Sequence, residues 1–455
     1  MSDADLARLW HEVNEQPAVI EGLLASQRAA VTELASLVRQ REPSTFVLVA
    51  RGSSDHAAIY GRYLFEICNQ RLTSLAAPSA LTLYGSGPRL DQALVIGVSQ
   101  SGQGEDVVAY VARARDQGAT TVAITNDEAS PLAQTADWRL ACRAGPERSI
   151  PATKTVTAEM CLLAMLSAAL GSSASSDITA LRGAPSTDVP ALGDTLPSDV
   201  AAPGGTLSSD LAARGSAPST DVAALGDTLP SDVAAPGSTL SSDVTALGGT
   251  LSSEVVARGN AVSGDLAARR DAVSSAFAAL APLPAAIACA LEQRPVAAAL
   301  AQRLVGRTID SVIGRGFAFP PALEIALKLK ETSYTPAEPF SAADFLHGPV
   351  ALVEADYTAV VVDVGGRSSV AAQQIAQGVR ARGGQPVLVR AADAAAPSVE
   401  ATVGGPHLVL QVPVAEPYAP IVALVLGQLL AIEVALARGL DPAQPRGLRK
   451  VTSTR

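Results

Sequence analysis

Aromatic and basic residues are scarce in this chain. Aromatic residues make up 4% of the 455 positions, and 34 Lys and Arg stand against 44 Asp and Glu, which gives a formal net charge of −10. This balance indicates no broad basic surface of the kind that binds nucleic acid. An anionic ligand would have to be held by local hydrogen-bond donors rather than attracted by the overall field.

Cysteine is also rare, and no two cysteines form a CxxC pair. The four are Cys68, Cys142, Cys161 and Cys289. Their scatter predicts neither disulfides nor a zinc site, and it favours a reducing, cytoplasmic compartment.

Targeting and membrane signals are lacking as well. The N-terminus reads MSDADLARLWHEVNEQ, without a basic region followed by an apolar one, so we expect no signal peptide. The longest apolar run, 421–437, contains Gln428 and Glu433. We therefore expect it to be a buried helix rather than a membrane span.

Short β-rich runs alternate with longer helical patterns in two separate halves of the chain. In the first half the strands are predicted at 44–50, 93–99 and 120–125, with helices at 55–70 and 104–118. In the second half the strands are predicted at 308–316, 357–366 and 385–390, with helices at 320–331 and 368–384. This alternation predicts an α/β fold of two doubly wound parallel sheets in tandem. Ligand sites are expected at the carboxyl ends of the strands.

A repetitive segment separates the two halves. Residues 186–218 and 219–251 are near-copies, and their first 25 positions differ only at Pro190/Ala223 and Gly205/Ser238. Within them an 11-residue unit recurs, which fits about three helical turns. Glycine and proline recur in most units and would break long helices, so the alternatives are a mostly disordered segment and one that forms broken helices or a coiled arm. We expect an expanded insertion at 176–278, between a first domain at 1–175 and a second at 279–455.

Three loops in the first half are rich in hydroxyl groups. Each is expected between a strand and a helix: Ser99-Gln100-Ser101-Gly102-Gln103-Gly104, then Gly52-Ser53-Ser54, and Thr153-Lys154-Thr155. Hydroxyls, amides and helix N-terminal N–H groups at such turns can bind phosphate. An ordinary capped turn is the alternative for any one of them. Together they suggest a phosphorylated ligand.

Longer motifs make the chain recognisable. ARGSSDHAAIYGRYLFE, SQSGQGEDV, AGPERSIPATKTVTAE, GRGFAFPPALEIALKLKETSYTPAEPFSAADFLHGPVALV and PRGLRKVT occur in order along the sequence. In this order and approximate spacing they resemble the isomerase half of glucosamine–fructose-6-phosphate aminotransferase, a tandem sugar isomerase (SIS) protein. The resemblance covers about 1–170 and 280–455, which is nearly everything outside the repeat.

The resemblance implies a homodimer that acts on hexose or hexosamine 6-phosphates, with no metal or organic cofactor and no nucleic-acid or membrane partner. It implies a site shared across subunits. By the same resemblance, the residues that bind the phosphate would be Ser54, Ser99, Gln100 and Ser101, with Ser53 near the sugar. Thr153 and the backbone around Ile150 would line the sugar pocket.

The resemblance places the catalytic groups in the second half. Glu331 would move a proton between C1 and C2, a role that suits a carboxylate if burial raises its pKa. His347 would assist ring opening, and Lys450 would contact the open-chain carbonyl end of the sugar. Glu324 is a further candidate for binding sugar hydroxyls. Without the motifs, Glu331 would be interpreted as a charged residue at a helix end, His347 as a structural histidine and Lys450 as part of a solvated basic tail.

Two departures from the aminotransferase pattern are visible. The sequence enters the isomerase half directly, so we expect no glutamine hydrolysis, and Gly104 stands where the aminotransferase carries threonine. Both departures favour the isomerase-only relatives, the SIS-type glucosamine-6-phosphate deaminases. We therefore expect a hexosamine-6-phosphate deaminase and isomerase. Two alternatives stay open: a synthase that uses ammonia or a separate glutaminase, and a non-catalytic sugar-phosphate sensor.

Overall fold

The computed structural model describes residues 3–171, 274–393 and 407–450. The repeat predicted to form an insertion lies outside the described residues, apart from its last five positions. The first half contains five parallel strands in the order β2-β1-β3-β4-β5. They are β1 (Thr45–Val49), β2 (Thr73–Leu75), β3 (Ala93–Val98), β4 (Thr120–Thr125) and β5 (Trp138–Ala141).

Eight helices accompany these strands in the described residues of the first half. They are α1 (Asp3–Asn14), α2 (Gln16–Ser26), α3 (Arg28–Arg41), α4 (Ser53–Ile67), α5 (Pro78–Thr82), α6 (Glu105–Asp116), α7 (Pro131–Thr135) and α8 (Lys154–Leu170). Strands β3 and β4 are buried along their whole length, as expected of a parallel sheet that is covered on both faces.

The second half repeats the arrangement. Its parallel strands lie in the order β7-β6-β8-β9-β10, which matches the first sheet strand for strand. They are β6 (Ser311–Gly314), β7 (Glu338–Ser341), β8 (Thr358–Asp363), β9 (Gln385–Ala392) and β10 (His407–Gln411). The prediction of two doubly wound parallel sheets is confirmed.

The helices of the second half follow the same plan. They are α9 (Leu283–Leu291), α10 (Arg294–Arg303), α11 (Phe319–Ser333), α12 (Ala342–Leu346), α13 (Ser368–Ala381) and α14 (Ala419–Ala437). Short 3₁₀ turns at Gly316–Ala318 and Pro349–Leu352 connect some of them.

Two apolar helices, α8 and α14, lie at the centre of a core that both halves share. By length and composition, Ser274–Leu291 and Ala419–Ala437 could each cross a membrane, but the second is 94% buried inside the fold and the first 33%. The expectation that 421–437 forms a buried core helix is confirmed. Gln428 on α14 accepts a hydrogen bond from Gln16 Nε2 and so joins the halves in the core.

The strand order creates a crevice at the carboxyl ends of two neighbouring central strands in each sheet. In the first sheet the chain moves from β1 outward to β2 and then returns to β3 on the other side of β1. Connections leave β1 and β3 in opposite directions, so their carboxyl ends flank an open crevice, where doubly wound sheets bind ligands. The loops that carry Ser53 and Ser99 follow these two strands.

Candidate active site

The loop after β3 presents two serine hydroxyl groups. The Oγ atom of Ser99 accepts a hydrogen bond from Gly102 N, and the Oγ atom of Ser101 accepts one from Gln103 N. Both hydroxyl protons have no acceptor among the residues that the structure describes. The carbonyl of Gln100 is held by Asn126 N at the end of β4. The loop is thus fixed by its backbone, while its hydroxyl donors are free to bind a ligand.

Gly102 and Gly104 have different roles in this loop. Gly102 adopts a φ of +60°, and a Cβ there would overlap the Ser130 side chain. Gly104 has a φ of −61° as the N-cap of α6, and a Cβ would meet its nearest neighbours at 3.6 to 3.9 Å. Glycine is therefore required at position 102, whereas position 104 has room for a side chain.

The loop after β1 lies at the other side of the crevice. Gly52 turns the chain with a φ of +58° just before α4 begins at Ser53. Arg51 Nε lies 2.6 Å from Asp106 Oδ2 on α6, and this ion pair connects the two loops. Ser54 is buried, and its Oγ atom is 2.9 Å from Glu159 Oε1 on α8.

Glu324 on α11 joins the second half to the start of α4. Its Oε2 atom is 2.6 Å from His56 Nδ1, and it also accepts a hydrogen bond from Ser53. Burial raises the pKa of this carboxyl, but Lys328, His56 and Ser53 more than offset the effect, so the pKa lies below its ordinary value. Glu324 is therefore a buried carboxylate at the junction of the halves.

Lys328 lies between two carboxylates on the same helix. Its Nζ atom is 2.6 Å from Glu331 Oε2 and 3.3 Å from Glu324 Oε1. Burial lowers the pKa of Lys328, but the two carboxylates raise it by a larger amount, so the pKa lies above its ordinary value. Glu331 has a side chain that is 21% exposed, so it can reach a ligand from the edge of this cluster.

Glu147 holds the third hydroxyl-rich loop. Its carboxylate accepts hydrogen bonds from the backbone N–H and hydroxyl groups of both Thr153 and Thr155. Lys450, near the end of the chain, places its Nζ atom 2.8 Å from Glu147 Oε2. Burial raises the pKa of Glu147, but Lys450 and the hydrogen bonds lower it more, so the carboxyl is ionised. The hydroxyl of Thr153 is directed at Glu147, and its role in a sugar pocket stays a prediction.

The N-terminal helices support the same loop from outside. Glu12 on α1 accepts hydrogen bonds from the backbone N–H groups of Arg148 and Ser149, which precede Ile150. Lys154, buried at the start of α8, pairs with Glu15. Ile150 is half-buried next to the residues that Glu12 binds, so its backbone position is fixed from α1.

His347 lies apart from this cluster. It caps the C-terminal end of α12, is exposed, and its imidazole ring forms no hydrogen bond with any described residue. Exposed apolar side chains, Leu346 at 43% and Leu352 at 65%, lie near it in sequence. No hydrogen bond or ion pair joins His347 to Glu331 in the described residues, and its role in ring opening stays a prediction.

The second sheet has an equivalent loop, after β8, that is already filled. The Glu416 carboxylate accepts hydrogen bonds from the backbone N–H groups of Arg367 and Ser368 at the start of α13. Gly366, at a φ of +58°, lies so close that a Cβ would overlap Glu416. The hydroxyl of Ser369 donates to the buried Asp363. Carboxylates of this chain therefore occupy hydrogen-bond donors of the second loop, whereas the Ser99 and Ser101 hydroxyls of the first loop have no acceptor in the described residues.

The sequence did not predict four residues that contact the predicted site residues or their partners: His56, Glu147, Glu159 and Lys328. Each lies within a quoted motif, yet none stands out from its neighbours there. Within the described ranges, no group of three or more His, Cys, Asp and Glu side chains is arranged to hold a metal ion. The cluster instead offers hydroxyl donors in the first half and paired carboxylates and ammonium groups in the second half and tail.

A duplicated doubly wound sheet with hydroxyl-rich loops at its first switch point defines a class of tandem α/β protein whose ligand crevice lies at the carboxyl ends of the strands. The SIS domain family model matches this chain twice, at residues 41–169 and 311–438, which is more than half of its length. The chain belongs to the SIS domain family, with one domain in each half.

Individual relatives agree with this assignment. The chain is 27% identical over 443 residues to the glutamine–fructose-6-phosphate aminotransferase of Thermococcus kodakarensis, covering 96% of this chain and 56% of that enzyme. The Halobacterium salinarum enzyme of the same name is 28% identical over 451 residues, covering 96% and 58%. The chain thus spans about half the length of the curated relatives it matches.

Solved structures show the same fold. A Silicibacter pomeroyi protein, provisionally assigned as a phosphosugar isomerase, has a TM-score of 0.64 and 25% identity, covering 96% of this chain and 99% of that one. The C-terminal domain of glucosamine-fructose-6-phosphate aminotransferase from Francisella tularensis has a TM-score of 0.67 and 20% identity, covering 96% and 98%.

Proposed function

We propose that this chain is a sugar-phosphate isomerase that deaminates a hexosamine 6-phosphate, giving the ketose 6-phosphate and ammonia. One observation carries the proposal: Glu324 of the second half accepts a hydrogen bond from Ser53 of the first, and Lys328 pairs with both Glu324 and Glu331. This chain of contacts supports a phosphate site next to a proton-transfer site. The relatives named as isomerising aminotransferases support the same chemistry.

The phosphate would bind at the first switch point. The Ser99 and Ser101 hydroxyl protons have no acceptor in the described residues, Gln100 lies between them in sequence, and Ser54 follows the neighbouring strand β1. Neutral donors at a helix N-terminus suit a dianion in a protein of net charge −10. Ser53, Glu324 and the backbone near Ile150 and Thr153 would then bind the sugar.

The reaction would proceed through the open-chain sugar. Glu331 takes the proton from C2, which leaves an enolamine, and the proton is returned to C1 to give a C2 imine and a C1 alcohol. Water adds to this imine and ammonia leaves, so the products are the ketose phosphate and ammonia. Lys328, at 2.6 Å, holds the Glu331 carboxylate in place. Lys450 would contact the carbonyl end of the sugar.

His347 would open the sugar ring from a neighbouring subunit. Its exposed position beside exposed leucines supports a homodimer in which this face is covered by the partner. All four cysteines are free, which supports a reducing, cytoplasmic location. The domain limits of 1–175, 176–278 and 279–455 are part of the same proposal.

The direction of the reaction decides between the enzymatic candidates. Ammonia release from glucosamine 6-phosphate, measured beside glucosamine 6-phosphate formation from fructose 6-phosphate and ammonium, tests the deaminase against an ammonia-dependent synthase. If the protein releases no ammonia from glucosamine 6-phosphate, the deaminase assignment is wrong. If the protein bound sugar phosphates but turned over none, it would be a sensor instead.

A further inference from the structure

Glu159 is a buried carboxyl group that none of the roles above uses. It lies on α8 and is 1% exposed, and its Oε1 atom is 2.9 Å from the Ser54 hydroxyl. No Lys, Arg or His side chain in the described part of the molecule forms an ion pair with it. Glu147 and Glu324, by contrast, each have a cationic partner within 3.3 Å.

Groups on five different segments face Glu159. They are Ser54 on α4, Cys142 after β5, Glu147 before α8, Glu324 on α11 and Lys450 on the tail. Burial raises the pKa of Glu159 to about 8, since the Ser54 hydrogen bond and Lys450 oppose this only in part, while Glu147 and Glu324 add to it. The Cys142 thiol has its pKa raised well above its ordinary value by burial. Glu159 is therefore a neutral carboxylic acid at pH 7, with a proton to donate.

In the structure Ser54 Oγ donates its proton to Glu159 Oε1. We propose that neutral Glu159 reverses this hydrogen bond: it donates its own proton to Ser54 Oγ and so positions the Ser54 hydroxyl for an anionic ligand. A serine hydroxyl has a single proton. When Glu159 is neutral, its O–H group donates to Ser54, and the Ser54 proton is free to donate to a phosphate oxygen. When Glu159 is ionised, it takes the Ser54 proton as acceptor, and the lone pairs of Ser54 then face the anion.

This arrangement links ligand binding to protonation. Only the neutral form of Glu159 is competent, so the apparent Kd rises in proportion as that form disappears. Between pH 7 and pH 9 the neutral fraction falls about tenfold for a group with a pKa near 8. By reciprocal linkage, ligand binding at pH 9 should be accompanied by the uptake of close to one proton per chain. The inference rests on the proposed function, because the anion is taken to be the phosphate of the sugar substrate.

Calorimetric titration of the full chain with fructose 6-phosphate tests the inference. We expect wild-type protein to bind about tenfold more weakly at pH 9 than at pH 7. Glu159→Gln supplies a permanent N–H donor to Ser54, so its affinity should change less than about twofold over the same range. Glu433→Gln, another carboxyl on a core helix, paired with Arg294, is the matched control and should keep the wild-type dependence.

Proton uptake provides a second readout that a purely structural role would not change. Titrations at pH 9 in two buffers of different ionisation enthalpy should show uptake in wild-type protein and none in Glu159→Gln. If Glu159→Gln does not fold, Ser54→Ala replaces it, and its remaining affinity should be independent of pH. Equal pH dependence in wild type and variant would overturn this inference alone. If wild-type protein bound no sugar phosphate at either pH, the proposed function would fail together with it.

Discussion

The ammonium group of Lys450 lies 2.8 Å from the carboxylate of Glu147, although 303 positions separate the two residues in the sequence. Glu147 also accepts hydrogen bonds from Thr153 and Thr155, so the C-terminal tail is anchored to a loop of the first half. Arg446 holds the tail against Tyr334, and the Glu147 pair sets where the Lys450 side chain lies. The tail and the loop should therefore be coupled in function.

Replacing Lys450 with Met should lower turnover, and it should also cost some stability because the buried Glu147 carboxylate loses its cationic partner. The variant keeps the side-chain length but loses the charge, and we expect turnover to fall by about 100-fold or more. Glu147→Gln should cost stability, on the order of 2 kcal/mol, because it weakens the four hydrogen bonds of a buried carboxylate. Steady-state kinetics and urea unfolding of both variants distinguish these effects. Full activity in Lys450→Met would contradict the role given to the tail.

Glu331→Gln should abolish proton transfer while leaving the ligand bound. The amide has the same shape but cannot act as a base, so kcat should fall by about 1,000-fold. Fructose 6-phosphate affinity should stay within about threefold, since the phosphate loops are untouched. Glu338→Gln is the matched control, because Glu338 pairs with Lys330 and is largely exposed. An active Glu331→Gln enzyme would show that another group is the base.

The two glycines of the loop after β3 should respond in opposite ways to a larger side chain. In Gly104→Thr the new Cβ makes only ordinary van der Waals contacts at a permitted φ, and the variant adds a hydroxyl beside the proposed anion site, so we expect sugar-phosphate affinity to rise about fivefold. Gly102→Ala should destabilise the protein by about 1 to 3 kcal/mol, because of the positive φ and the overlap with Ser130. Titration and thermal unfolding measure both effects. Weaker binding by Gly104→Thr would mean that the anion lies elsewhere.

Glu159 should also make stability depend on pH. Its folded-state pKa of about 8 lies above the ordinary value of 4.5, so the folded protein retains a proton that the unfolded chain releases in between. Stability contributed by this group is therefore present at pH 4.5 and falls as pH rises to about 8. The free energy of unfolding of Glu159→Gln, relative to that of wild type, should increase by on the order of 2 kcal/mol or more between pH 5 and pH 8. Chemical unfolding at both pH values provides the measurement, and a constant difference would contradict the raised pKa.

The central strands and long helices were predictable because their apolar residues are continuous or periodic. Strands β1, β3, β4, β6, β8 and β9 all fall within or next to predicted segments. The edge strands did not show this signal. β2 has three residues and β7 reads EPFS, with no buried alternation, so pairing with a neighbour rather than sequence pattern defines them.

Some residues of the candidate site were predictable from local sequence and others were not. Hydroxyl-rich turns mark Ser54, Ser99 and Ser101 from local sequence, because phosphate binding uses contiguous residues. Glu147 and Glu159 are ordinary helix-flanking or helical glutamates in sequence. Their pKa values depend on burial and on partners from α4, α11 and the tail, and such long-range proximity leaves no local pattern.

The carboxylate of Glu416, which occupies the loop after β8, acts as a ligand that the chain carries with it. A tethered group competes at an effective concentration on the order of millimolar or higher, whatever the surrounding solution contains. Free phosphate esters would have to exceed that concentration to enter the second loop. The two halves therefore share one topology but differ in occupancy. Saturation of the protein should correspond to a single sugar phosphate per chain.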